Sequence, residues 1–109
     1  MTVNDLIKLG DFDEVCLPEG DREVNGVYIG DLLSWVMGNA AADNAWITIM
    51  SNINVVAVAS LIDVACVILA EGVTLDDDTK AAASDKGINV LSTHFTAYET
   101  AVKLSKSLL

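Results

Sequence analysis

Residues 45–70, AWITIMSNINVVAVASLIDVACVILA, hold a single charged side chain, Asp63. Residues 45–50 read as a strand, and residues 65–70 form a continuous apolar run of the kind buried on both faces of a parallel sheet. Between them Ser51-Asn52 is a helix start, and residues 53–62 are apolar around the full circumference of a helix. Strand, helix and strand in this order make a β-α-β unit with a parallel sheet.

The pattern repeats downstream. Thr74-Leu75-Asp76-Asp77 caps a helix that runs to Lys86 and stops at Gly87, where a helix usually takes a left-handed residue. Residues 88–91 read as a further strand, and Thr96-Ala97-Tyr98-Glu99 is a full capping box that opens the final helix. Upstream, Thr2-Val3-Asn4-Asp5 starts a short helix that Gly10 closes. Residues 13–17 and 26–29 are two strands about the turn Pro18-Glu19-Gly20-Asp21, a hairpin-like pair, and Asp31 caps a helix over residues 32–37. The expected fold is a three-layer α/β sandwich with a mainly parallel sheet of β-α repeats, preceded by a short helix and a strand pair. No linker, repeat or low-complexity tract divides residues 1–109, so one domain is expected.

Composition narrows the function classes. Six Lys and Arg against sixteen Asp and Glu give a net charge of −10, which repels nucleic acid and anionic membranes alike. The longest apolar run, residues 55–70, includes Asp63 and falls short of a bilayer span, and the start of the chain lacks a signal-peptide pattern. A cytoplasmic protein without membrane contact is expected. Cys16 and Cys66 lie far apart in apolar strands and read as buried small hydrophobes. With one histidine and no clustered thiols, no metal site or cofactor is expected.

No residue set commits the chain to a reaction. The phosphate loop G-x-x-x-x-G-K-[ST] is absent, and Gly26-Val27-Tyr28-Ile29-Gly30 lacks dinucleotide-loop spacing. His94, the one imidazole, stands in a strand-to-helix loop shortly before Tyr98 and Glu99, a place for a catalytic base or for a solvated side chain. The carboxyl ends of the strands carry Ser51-Asn52, Glu71-Gly72 and Thr93-His94, where helix starts cradle an anion or are simply capped. Arg22 is the sole arginine, suited to a carboxylate or phosphate ligand and equally to an internal ion pair with one of the sixteen acids. Arg22, Gly26, Tyr28, Ser51, Asn52, Glu71 and Thr93 are the expected ligand-site residues. The all-round apolar helix and Trp35 and Trp46 call for more cover than a small domain provides, so a homodimer is expected.

Asp21-Arg22-Glu23-Val24-Asn25-Gly26, followed by Val27-Tyr28-Ile29-Gly30-Asp31, resembles the segment that names the DRTGG domain family. Asp21 and Arg22 match its first letters and Gly26 its closing glycine, while Glu23-Val24-Asn25 replaces the Thr-Gly core and is one residue longer. The downstream order of strand, helix, Ile68-Leu69-Ala70-Glu71-Gly72 and terminal amphipathic helix is also similar, so the likeness covers nearly the whole chain. It implies a non-catalytic α/β module of the kind found in nucleotide-regulated pyrophosphatases, beside phosphotransacetylase domains, and similar to the N-terminal domain of HPr kinase/phosphorylase. Such modules are regulatory or dimerising. The resemblance thus implies a stand-alone, non-enzymatic sensor of a small anionic metabolite or nucleotide; the alternative is a structural subunit that binds a partner protein.

Overall fold

The computed structural model describes residues 1–108. In chain order the elements are α1 Val3–Lys8, β1 Asp13–Cys16, β2 Gly26–Ile29, α2 Leu33–Asn39, β3 Asn44–Thr48, α3 Ile53–Ile62, β4 Cys66–Leu69, α4 Asp77–Asp85, β5 Val90–Ser92 and α5 Ala97–Leu108. The five strands form one sheet in the order β1-β5-β4-β3-β2. Strands β2 to β5 are parallel neighbours, and β1 joins β5 antiparallel. This is the mainly parallel α/β sheet expected from the sequence.

Side-chain alternation along the strands builds two cores. Trp46, Val67, Leu69 and Val90 face α2, α3 and α4 and pack on Val36, Val56, Ala59 and Ala83. Ala45, Ile47, Cys66, Ile68 and Leu91 face the opposite way, onto Val3 and Leu6 of α1 and Leu104 of α5. Three crossovers of one hand, each leading to the next strand over, leave α2, α3 and α4 on a single side. Every residue of β4 is buried, which is why its sequence is apolar without alternation. Each of these large side chains contributes about 1.5–3 kcal/mol by leaving water.

Local signals act as read. Thr2 and Asp5 form a capping box at α1, and Thr96 and Glu99 exchange the same pair of bonds before α5. Asn52 Oδ1 accepts from the Asn54 N–H at 2.9 Å, and Asp76 Oδ1 from the Thr79 N–H at 2.7 Å. Gly87, at φ +71°, turns the chain out of α4. The Thr79 backbone and side-chain hydrogen bonds hold the Asp76 carboxyl below its usual range. A depressed folded-state pKa means that the cap stabilises at neutral pH and loses its effect as pH falls through that value. Asp76→Ala is therefore expected to lower Tm at pH 7, with the gap to the parent chain starting to narrow only below the ordinary carboxylate value of about 3.9; thermal unfolding from pH 7 into the acid range checks it.

Two expectations are corrected. β1 and β2 do not pair with each other: they are the two edges of the sheet, with β5, β4 and β3 between them. The Pro18-Glu19-Gly20-Asp21 turn starts a longer crossing under the sheet, because the partner of β1 is the last strand of the chain. Asp31 does not cap α2, whose N-cap is Leu32 with no side-chain bond. Its Oδ1 accepts instead from Thr48 Oγ1 at 2.8 Å and the Ile49 N–H at 3.0 Å, tying the ends of β2 and β3 together. Helix α3 buries Val55, Val56, Val58 and Ala59, while Ile53 and Leu61 stay exposed on its outer side.

Candidate functional site

Because β2 to β5 run parallel, their carboxyl ends share one edge, and five of the seven expected site residues belong to it. At β2, the Tyr28 ring lies against Gly30, so closely that a Cβ there would meet Cε2 at 2.9 Å. At β3, Ser51 is half-buried and Asn52 exposed at the N-terminus of the ten-residue α3. At β4, Glu71 and Gly72 are successive left-handed residues, φ +58° and +75°. Such a backbone suits Gly72 and is strained at Glu71. Their N–H groups donate to Phe95 O and Thr93 O, both at 2.9 Å, so the turn is clamped to the end of β5.

Thr93 is buried at that clamp. Its hydroxyl donates to Asp11 O at 3.1 Å and accepts from the Phe95 N–H at 3.3 Å, so it supports the edge from beneath. His94 is exposed beside Gly72, where an added Cβ would meet Nδ1 at 3.2 Å. Tyr98 and Glu99 instead border a shallow hollow with Lys103 and Lys106 on α5, and Glu99 is committed to the Thr96 cap. His94 is not among the residues lining that hollow.

Arg22 and Gly26 stand at the opposite, amino edge. Arg22 Nη2 donates to Asp43 Oδ1 at 2.9 Å and to Asp63 O at 2.6 Å, while Nη1 meets Asp63 Oδ1 at 2.8 Å. The guanidinium is in an internal ion pair, with partners that begin β3 and end α3. Burial works against its charge, and the two aspartates outweigh that cost and raise its pKa. Burial also pushes the nearby Cys66 thiol up to about 12, with Arg22 pulling the other way. Gly26 starts β2 opposite Asn44, and a Cβ on it would come 3.1 Å from Asn44 Nδ2.

Arg22 also borders a hollow of about 540 Å³ under the turn formed by residues 17–22. Its other polar walls are Asn4, Glu19 and Asp21, and Asn4 Nδ2 donates to Asp21 Oδ1 at 3.1 Å. With the arginine committed, carboxylates dominate this hollow. An anion would meet repulsion there.

Asn89 was not singled out by sequence reasoning. It is buried, accepts the Glu19 N–H at 2.9 Å, and donates to Glu19 O at 2.8 Å and Ala65 O at 2.9 Å. The one available signal was an amide between apolar neighbours in the strand stretch 88–91. Among the described residues, no group of three or more His, Cys, Asp or Glu is placed to hold a metal ion, and no helix is long and apolar enough to cross a membrane.

No family model and no curated protein matches the chain. Among solved structures it is similar to the crystal structure of the CBS and DRTGG domains of the regulatory region of Clostridium perfringens pyrophosphatase, complexed with the activator diadenosine tetraphosphate. The two share 18% identity and superpose with a TM-score of 0.68 over 93% of this chain and 44% of that one. The likeness establishes a shared α/β fold. This chain spans less than half the length of that one.

Proposed function

We propose that the chain is a DRTGG-like, single-domain regulatory module that binds a small anionic metabolite or nucleotide, without chemistry, at the carboxyl edge of its sheet, in a cytoplasmic setting. The observation that carries this reading is the gathering of Tyr28, Ser51, Asn52, Glu71 and Thr93 at one edge. The start of α3 supplies partial positive charge and N–H donors for a phosphate, and the exposed Glu71 carboxylate suits ribose hydroxyls. Arg22 and Gly26 are scaffold in this reading. The nucleotide activator in the structurally similar pyrophosphatase region supports a ligand of this class.

A thermal-shift series with AMP, ATP, diadenosine tetraphosphate and inorganic phosphate tests it. A ligand at about 100 times its Kd adds about 2.7 kcal/mol to the native state, a rise in Tm of several degrees. Asn52→Ala is expected to weaken that binding about tenfold through lost pre-ordering of the α3 start. No stabilisation by any of these at millimolar concentration would overturn the reading. The alternative, a structural subunit that docks on a partner protein, draws on the exposure of Leu32, Trp35 and Leu61. Co-purification of a stoichiometric protein with no small-molecule response would favour it.

A further inference from the structure

The carboxyl edge of the sheet is poor in positive charge. The segments that follow the strands there, residues 30–32, 49–52, 70–76 and 93–96, contain no lysine or arginine, and His94 is the one side chain among them able to become a cation. Arg22 is committed at the opposite edge. Lys103 is held beside Asp11 at 3.5 Å and over the Phe95 ring at 4.4 Å.

Backbone donors at this edge are almost as scarce. The Glu71 and Gly72 N–H groups are bound to Phe95 O and Thr93 O. Asp76 caps the start of α4, and Thr96 with Glu99 caps that of α5, so both of those helix starts already hold a carboxylate. The start of α3 differs, because its cap, Asn52, is neutral. An anion at this edge therefore has two groups to draw on, the first turn of α3 and the His94 ring.

The imidazole is placed to serve. It lies against Gly72, where a Cβ would meet Nδ1 at 3.2 Å and Cε1 at 3.7 Å, so the glycine leaves room for the ring next to Glu71. His94 is exposed, and the hydrogen bonds around it run through Thr93, Thr96 and Glu99, leaving both ring nitrogens free among the described residues. Because β5 lies next but one to β3, roughly 10 Å separate their ends. One phosphate touches only one of the two groups, whereas a chain of phosphates spans them.

We propose that His94 is the second anion contact of this site, reached by a phosphate chain whose other end rests on the α3 start, and that its protonation makes binding pH-dependent. That role rests on the ligand reading above and adds to it a residue and the direction of a pH effect. An imidazole gains its charge as pH falls through about 6.5. Above that range a phosphate meets the Glu71 carboxylate and a neutral ring; below it a cation stands beside Glu71, so affinity rises as pH falls. The other charged groups about His94 are Glu71 on the β4 turn, Glu99 on α5 and the Asp11–Lys103 pair. Carboxylates ordinarily titrate near about 4 and lysines above about 10, outside this window. Burial raises both cysteine thiols away from it. The amino terminus is paired with Glu23, ahead of β2.

Calorimetric titration of the full chain with diadenosine tetraphosphate, between about pH 5.5 and about pH 8.5, tests this role. The phosphate chain of that probe is capped at both ends and keeps its charge throughout, whereas a terminal phosphate titrates near about pH 6. The expected Kd at the acid end is about tenfold below that at the alkaline end. By linkage, binding near neutral pH takes up protons, read as a binding enthalpy that changes with the ionisation enthalpy of the buffer. His94→Gln is expected to flatten the pH profile to within about twofold and to abolish the proton uptake. His94→Lys, charged throughout, is expected to bind at the alkaline end as the parent chain does at the acid end. Binding without pH dependence in the parent chain, or an acid gain that survives in His94→Gln, would overturn the role of His94 and leave the ligand reading standing. No binding at any pH would overturn both.

Discussion

Arg22→Met is expected to lower unfolding stability by about 2 kcal/mol while leaving ligand-induced stabilisation unchanged. Removing the partner of a buried ion pair costs roughly 3–5 kcal/mol, and exposed pairs contribute about 0–1. This cluster lies between those limits: the Arg22 side chain is 18% exposed, Asp43 48% and Asp63 69%. Methionine keeps the apolar stem and deletes only the guanidinium. Asp43 and Asp63, both in left-handed backbone at φ +65° and +68°, then lose the cation that holds the start of β3 to the end of α3. Denaturant unfolding with an unchanged m-value is the measurement, with a fall in Tm of about 10 °C beside it. A loss under about 0.5 kcal/mol would show that water solvates the aspartates as well as Arg22 does. Arg22→Lys, a point charge without the planar fork, should recover less than half of the loss.

The larger loss, about 3 kcal/mol, is expected for Asn89→Leu. One amide satisfies three backbone groups, the N–H and C=O of Glu19 and the C=O of Ala65. Leucine matches it in size and satisfies none of them, and each buried group left unpaired costs about 1–3 kcal/mol. Part of the Glu19 cost is relieved by water, since those two bonds are only partly buried. Asn89→Asp should be no better, because it keeps an acceptor for the Glu19 N–H but offers no donor and buries a charge. Urea unfolding of both variants, with amide exchange at Glu19, checks this. Native-like stability for Asn89→Leu would show that the turn of residues 17–22 relaxes freely without its anchor.

The residues that were legible in the sequence act over one turn of chain. Thr2, Asn52, Asp76 and Thr96 cap helices through bonds to residues two or three positions ahead, and that spacing is visible without a structure. The buried strand β4 was legible because burial on both faces leaves no polar alternation. What was not legible depends on distant partners. Two short strands about Pro18-Glu19-Gly20-Asp21 look like a hairpin, and nothing local reveals that β1 belongs beside β5. Asp31 has the right type and position for a cap, but the ends of β2 and β3 lie side by side and claim it first. The expected ligand residues divided for the same reason: spacing along β2 to β5 predicts a shared carboxyl edge, whereas the position of Arg22 depends on where residues 43 and 63 arrive. The Asp21-Arg22 pair that resembles the start of the DRTGG hallmark therefore belongs here to an architectural cluster.

The antiparallel placement of β1 against β5 also sets an order of assembly. β2, β3 and β4 can zip together one crossover at a time as each emerges from the ribosome. β1 is synthesised before all of them and has no partner until β5 appears. Until then Cys16 lacks the strand beside which it is buried. The return of the first strand to the last one is thus the longest-range closure in the sheet, one that β-α-β units alone do not require.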